Sequence, residues 1–178
     1  MTSAVHDTST RRLVLLRHAK AEPGGRVPDA LRPLALPGRK QAVRVGAALA
    51  SLGLVPDGVL CSDAVRTRQT WELLRPGLGD AVPEVLVTEE VYSAGPEDML
   101  RLVRTSADAL RTLLVVGHEP VMSAVAAHLA GPGSDSAGLA QVRVGVQTAT
   151  YVVLEAQSPW ADWSAAGALL THVGRPES

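Results

Sequence analysis

His18 and His118 stand one hundred positions apart, and each closes a short apolar run. Leu13-Val14-Leu15-Leu16 leads into Arg17-His18, and Leu113-Leu114-Val115-Val116 leads into Gly117-His118. A neutral imidazole is a nucleophile, and its ordinary pKa of ~6.5 leaves much of it neutral near pH 7. A guanidinium beside it offers a planar fork of donors that matches phosphate and carboxylate. Two imidazoles and a guanidinium in one place make a site for an anion, above all for a phosphoryl group. Ser62-x-x-x-Arg66-x-x-x-Thr70 adds a second guanidinium. It lies in the first turn of an expected helix, where free N–H groups and the macrodipole favour anions. Arg68, two positions on, points to another side of that helix.

These groups meet only if the chain positions them. Short Val/Leu runs read as strands buried on both faces, the kind found in parallel sheets covered by helices. The carboxyl ends of such strands open onto the ligand crevice, so both histidines fall at one sheet edge. Between them, Gly38 to Leu52 is amphipathic, with Ala42, Val45, Ala48, Leu49 and Leu52 on one face and Gly53 as its stop. Val59-Leu60-Cys61 reads as a strand, with Ser62 or Asp63 capping a helix to about Leu74. Val82 to Thr88 is strand-like, and Pro96-Glu97-Asp98 opens a further helix. Glu119-Pro120 opens another, to about Leu129. Gly131 to Gly138 reads as a flexible loop, and Thr148 to Glu155 as a strand with Val142 to Val146 as its candidate partner. The alternation predicts one three-layer α/β/α domain over 12–173 with a mostly parallel central sheet. Residues 1–11 are expected as a disordered tail and 174–178 as a C-terminal tail.

Composition narrows the function. The 178 residues are 46% hydrophobic but only 3% aromatic, with no Phe, which suits helices packed on a Val/Leu sheet. A net charge of −1 gives no electrostatic ground for nucleic acid or a membrane surface. Cys61, the one cysteine, excludes an intramolecular disulfide and reads as a buried inert thiol. Residues 1–10 lack an apolar signal segment, and no stretch approaches the ~20 apolar residues of a membrane span. A cytoplasmic monomer is the expectation. His128 lacks metal-ligand spacing to His118, so no metal site is expected, and His6 and His172 fall in expected tails. Trp160 and Trp163 read as packing anchors.

Together the motifs Leu15-Leu16-Arg17-His18-Ala19, Ser62-x-x-x-Arg66-x-x-x-Thr70 and Gly117-His118-Glu119-Pro120 resemble the histidine phosphatase superfamily, with its phosphoglycerate mutase-like fold. Arg17-His18-Ala19-Lys20, Arg32-Pro33-Leu34, Gly38-x-x-Gln41-Ala42 and the short stretch between Thr88 and Glu97 look like its SixA-like phosphohistidine phosphatase branch. The resemblance implies that His18 attacks phosphorus and forms a covalent phosphohistidine. Arg17 and Arg66 would clamp the phosphoryl oxygens, with His118 bonded to the same oxygens and no metal or cofactor. The implied partner is a phosphorylated protein bearing phosphohistidine. A small phosphate ester is the alternative, and a non-catalytic phosphate-binding module is the rival from another class.

The proton donor departs from the family pattern. Reading Glu89-Glu90-Val91-Tyr92-Ser93 in the family's register puts Ser93 where a Glu acid is expected. Glu90 and Glu22 are the substitutes. A missing acid favours an N–P bond, because imidazole leaves more readily than alkoxide. Arg32 either reaches the site as a substrate-binding group or only pairs with Asp29.

Overall fold

The computed structural model describes residues 10–177. Its frame is a sheet of six strands in the order β3-β2-β4-β1-β5-β6. These are β1 (Arg11–Arg17), β2 (Gly58–Ser62), β3 (Glu84–Thr88), β4 (Thr112–Gly117), β5 (Tyr151–Ala156) and β6 (Leu169–Gly174). The β3-β2, β2-β4 and β4-β1 pairs are parallel, and β1-β5 and β5-β6 are antiparallel. The fold is a mixed α/β domain of the expected three layers.

Each layer follows from the period-2 alternation of the buried strands. Leu13 and Leu15 face a core shared with α4 (Pro96–Arg104), α5 (Val121–Leu129) and α6 (Ser136–Val144), which also contains Trp160 and Trp163. Val14 and Leu16 face the opposite core, shared with α1 (Leu36–Ser51) and α2 (Val65–Leu74). Both faces of β1 and β4 are thus covered, which is why these two runs carry no polar alternation. The register pairs Leu13 with Leu113 and Arg17 with Gly117, and the His18 N–H donates to the Gly117 carbonyl at 3.0 Å. The two histidines therefore leave the sheet side by side.

Where α1 meets the first loop and the end of α2, backbone runs against backbone. A Cβ on Gly38 would lie 1.9 Å from the Lys20 carbonyl oxygen, and one on Gly46 2.0 Å from that of Leu74. The Lys20 N–H also donates to Gln41 Oε1 at 3.1 Å. The segment just after His18 is thereby clamped to α1.

Four expectations change. Residues 142–146 do not form a strand: Asp135 caps α6 by accepting from the Gly138 N–H at 2.7 Å, and Val144 is exposed while Val142 is buried. The Asp-Ser cap, not the valine spacing, sets the structure there. The same helix shortens the expected 131–138 loop. His172 lies not in a tail but on β6, where Tyr151 packs over Gly174 in the space a Cβ would fill. Of the expected N-terminal tail, residues 1–9 lie outside the described residues, while Arg11 opens β1 and pairs with Asp108 at 2.6 Å.

Gly38→Ala should destabilise the protein by about 1–3 kcal/mol through overpacking, outweighing the ~1 kcal/mol that Ala gains in helix propensity. Urea unfolding reads this directly. An unchanged or raised midpoint would show that the contact between α1 and the His18 segment yields freely.

Candidate active site

The site forms where β1, β4 and β2 end and α2 begins. His18 is 6% exposed, and its Nδ1 lies 2.7 Å from the Ala19 carbonyl oxygen. A carbonyl only accepts, so Nδ1 carries the proton and Nε2 keeps its lone pair. The Arg66 Nε donates to that Nε2 at 3.3 Å. Arg66 Nη2 is 3.2 Å from His118 Nδ1, and His118 Nε2 is 2.8 Å from Ser62 Oγ. Arginine only donates, so His118 accepts at Nδ1 and donates from Nε2 to Ser62. The Ser62 hydroxyl oxygen also accepts from the Ala64 N–H at 3.3 Å, so Ser62 links the start of α2 to His118. The cap of α2 is in fact Ala64 rather than Ser62 or Asp63.

The rest of the Arg66 fork is taken by Asp29. Nη1 donates to the Asp29 carbonyl at 2.7 Å, and Nη2 to its Oδ2 at 2.9 Å. Arg32 binds the other carboxylate oxygen, Oδ1, at 2.9 Å and also donates to the Glu22 carbonyl at 3.0 Å. Arg32 thus pairs with Asp29, and through Asp29 it stands at the edge of the cluster. The Tyr92 hydroxyl donates to Asp29 Oδ2 at 3.0 Å, and its ring meets His118 edge-on at 5.3 Å between centroids. Arg17 donates to the Val146 carbonyl at 2.7 Å, while its Nε is buried without a partner.

Electrostatics follow from this packing. Burial lowers the His18 pKa to about 4, with Arg66, Arg17 and Arg32 adding to the effect against the opposing bond to Ala19. Burial likewise lowers His118 to about 3, assisted by Arg66 and His18. The bond from Arg32, joined by those from Arg66 and Tyr92, holds the Asp29 carboxyl well below the usual range although burial opposes them. The resting site therefore presents neutral imidazoles, fixed cations and an ionised carboxylate. Burial pushes the Cys61 thiol up to about 12, which makes it an unreactive core group. Among the described residues no three His, Cys, Asp or Glu side chains converge as a metal-ligand set. No helix among them is long and apolar enough to cross a membrane.

His18, His118 and Arg66 are thus brought together, with Arg17 beside His18 in sequence. Glu90 is not. It sits on α3 (Glu89–Ser93), where it lines a hollow with Ser93, Asp98 and Arg101, and Tyr92 is the α3 residue that reaches His118. Ser93 turns its hydroxyl to the Glu89 carbonyl at 3.1 Å. The carboxylate at the site is Asp29, which the sequence offered only as a partner for Arg32. Its signal was the three-residue spacing to Arg32 in a stretch rich in Pro. Tyr92 carried none beyond being one of few aromatic residues.

Comparison with known proteins agrees with this geometry. Residues 13–91 match the family model of the histidine phosphatase superfamily (branch 1). An uncharacterised protein of Mycobacterium tuberculosis is 37% identical over 148 residues, covering 83% of this chain and 90% of its own. A solved structure from Nakamurella multipartitia, provisionally named a phosphohistidine phosphatase SixA, superposes with a TM-score of 0.79 at 32% identity, over 95% of this chain and 98% of that one. A similarly named structure from Agrobacterium tumefaciens gives 0.77 at 26% identity, over 93% and 98%.

Because its pKa is depressed, His18 should remain neutral at pH 5 and become protonated as pH falls through about 4. The unfolded chain takes up these protons from ~6.5 downward, so fold stability should decline as pH drops from ~6.5 toward 4. An NMR titration of the His18 imidazole in ligand-free protein should give a midpoint near 4. A midpoint near 6.5 would contradict the burial argument.

Proposed function

Since the chain belongs to the histidine phosphatase superfamily, we propose that it is a phosphatase acting through a phosphorylated His18, and that its substrate is a phosphohistidine carried by another protein. The observation that carries the first part is the His18 ring itself. Its Nδ1 proton is held by Ala19, and its Nε2 lone pair faces the Arg66 guanidinium, the place for a phosphoryl oxygen next to the attacked phosphorus. The resemblance of this chain to structures bearing the phosphohistidine phosphatase name supports the second part.

In the first step Nε2 of His18 bonds to phosphorus as the substrate's P–N bond breaks. The electron pair goes to the substrate imidazole, which holds a proton on its other nitrogen and leaves neutral. Arg66 and Arg17 bear the charge on the phosphoryl oxygens, His118 holds Arg66 in place through Nδ1, and the unpartnered Arg17 Nε gains an acceptor. In the second step water attacks phosphorus from the side the leaving group vacated. The P–Nε2 bond breaks, its pair returns to His18, and a water proton passes to Asp29.

Asp29 is held ionised by three donors and so is open to a proton, and because the same donors make it a weak base the proton passes late, as the new P–O bond completes. For the same reason it is a poor acid for an alkoxide leaving group, and Glu90 is turned away toward α4, where it lines a hollow with Ser93, Asp98 and Arg101. An imidazole leaving group needs no such acid, which favours N–P over alkyl O–P substrates.

The test is rapid-quench mass spectrometry under acid-sparing conditions with a phosphohistidine-bearing phosphotransfer domain. Wild type should consume the substrate with a transient phosphate on His18, and His18→Ala should do neither. Asp29→Asn should slow hydrolysis of the intermediate by about a hundredfold, so that phosphorylated protein accumulates. If p-nitrophenyl phosphate labels His18 while phosphohistidine persists, a small phosphate ester is the substrate instead. Absence of accumulation in Asp29→Asn would remove Asp29 as the base.

A further inference from the structure

The chain has three Trp and two Tyr, and no Phe. Trp71, Trp160, Trp163 and Tyr151 are all buried in the two cores. Tyr92 alone stands partly in solvent, and it does so against the catalytic cluster. An aromatic ring half out of water forgoes burial that the other four obtain, which calls for a reason beyond packing.

In-line phosphoryl transfer supplies one. The leaving group departs opposite the nucleophile. His18 is the buried floor of the site, so the leaving group must lie toward the mouth. The mouth is built from Asp29, whose side chain is 53% exposed, from Arg32, and from Tyr92. Two of these three are charged and already paired with each other. Tyr92 is the only apolar surface among them.

The position of Tyr92 is fixed from both ends. Thr88 caps α3 by accepting from the Glu90 N–H at 3.2 Å, and Val91 of α3 is anchored in the core. On so short a helix Glu90 and Ser93 share the side toward α4, which leaves Tyr92 to face the histidines. Its hydroxyl donates to Asp29 Oδ2, the oxygen that also accepts from Arg66.

We propose that Tyr92 determines leaving-group specificity: its ring receives a planar aromatic leaving group such as imidazole, and its hydroxyl positions Asp29 for the attacking water. This rests on the phosphatase reading above and extends it to a residue the motifs do not include. The two functions separate by substitution. Tyr92→Phe removes only the hydroxyl, and Tyr92→Leu removes both the hydroxyl and the aromatic ring.

The experiment measures kcat and kcat/KM for phosphoimidazole, phenyl phosphate and an alkyl phosphate with wild type and both variants. Tyr92→Leu should lower the aromatic-to-alkyl ratio by about two- to tenfold relative to Tyr92→Phe, the scale of one aromatic pair. Tyr92→Phe should keep the wild-type ratio. It should also lower kcat by about two- to tenfold while sparing kcat/KM, because only hydrolysis of the phosphoenzyme uses the Asp29 that the hydroxyl positions. Equal ratios in Leu and Phe variants would overturn the ring's role, and an unchanged kcat in Tyr92→Phe would overturn the hydroxyl's. If wild type leaves phosphoimidazole intact but cleaves phenyl phosphate through His18, the phosphohistidine reading fails. The phenyl-to-alkyl ratio then still decides the role of Tyr92.

Discussion

One buried guanidinium holds the site together. Arg66 is 5% exposed, and its donors reach His18, His118, the Asp29 carbonyl and the Asp29 carboxylate. A buried charge is tolerated only when it is paired and hydrogen-bonded, and breaking such a pair leaves an uncompensated charge in the interior. Arg66 meets that requirement by tying α2 to the ends of β1 and β4 and to the loop that carries Asp29. The same cation helps keep both imidazoles neutral. The neutral imidazoles and the proposed anion pocket thus share one cause: a fixed positive charge in a place with little water.

The sheet exists, for this purpose, to bring Arg66 its partners. The β1-β4 register sets His18 beside Gly117, and the Ser62 that ends β2 reaches across to His118. The segment after His18 is held by the close approach of Gly38 to Lys20 and by the bond from the Ala19 N–H to Thr70 Oγ1 at 3.1 Å. Thr70 lies one turn beyond Arg66 and donates to its carbonyl at 2.6 Å. The His18 segment and the helix bearing Arg66 are therefore joined through one hydroxyl.

Much of this was legible in the sequence because buried parallel strands and helix starts have local signatures. The Val/Leu runs placed β1, β2 and β4, and the residue types at their ends placed His18, Arg66 and His118. What was missed depends on contacts between distant segments. Asp29 sits in an irregular loop, and its importance comes from Arg66, thirty-seven residues on. The choice of Tyr92 over Glu90 depends on how a five-residue helix is rotated, which its short sequence does not encode through periodicity. At 142–146 a valine alternation competed with an Asp-Ser cap, and the cap prevailed because it satisfies a free helix N–H.

On this reading the Arg66 fork, rather than positive charge alone, organises anion binding at the site. Isothermal titration calorimetry of orthophosphate with wild type and Arg66→Lys tests it most directly, since lysine keeps the charge and loses the planar donors. Loss of charge-assisted bonds on this scale should weaken binding by about ten- to a hundredfold in the lysine variant. Binding within twofold of wild type would contradict the account, and the pocket would then be a field of charge without a fixed geometry.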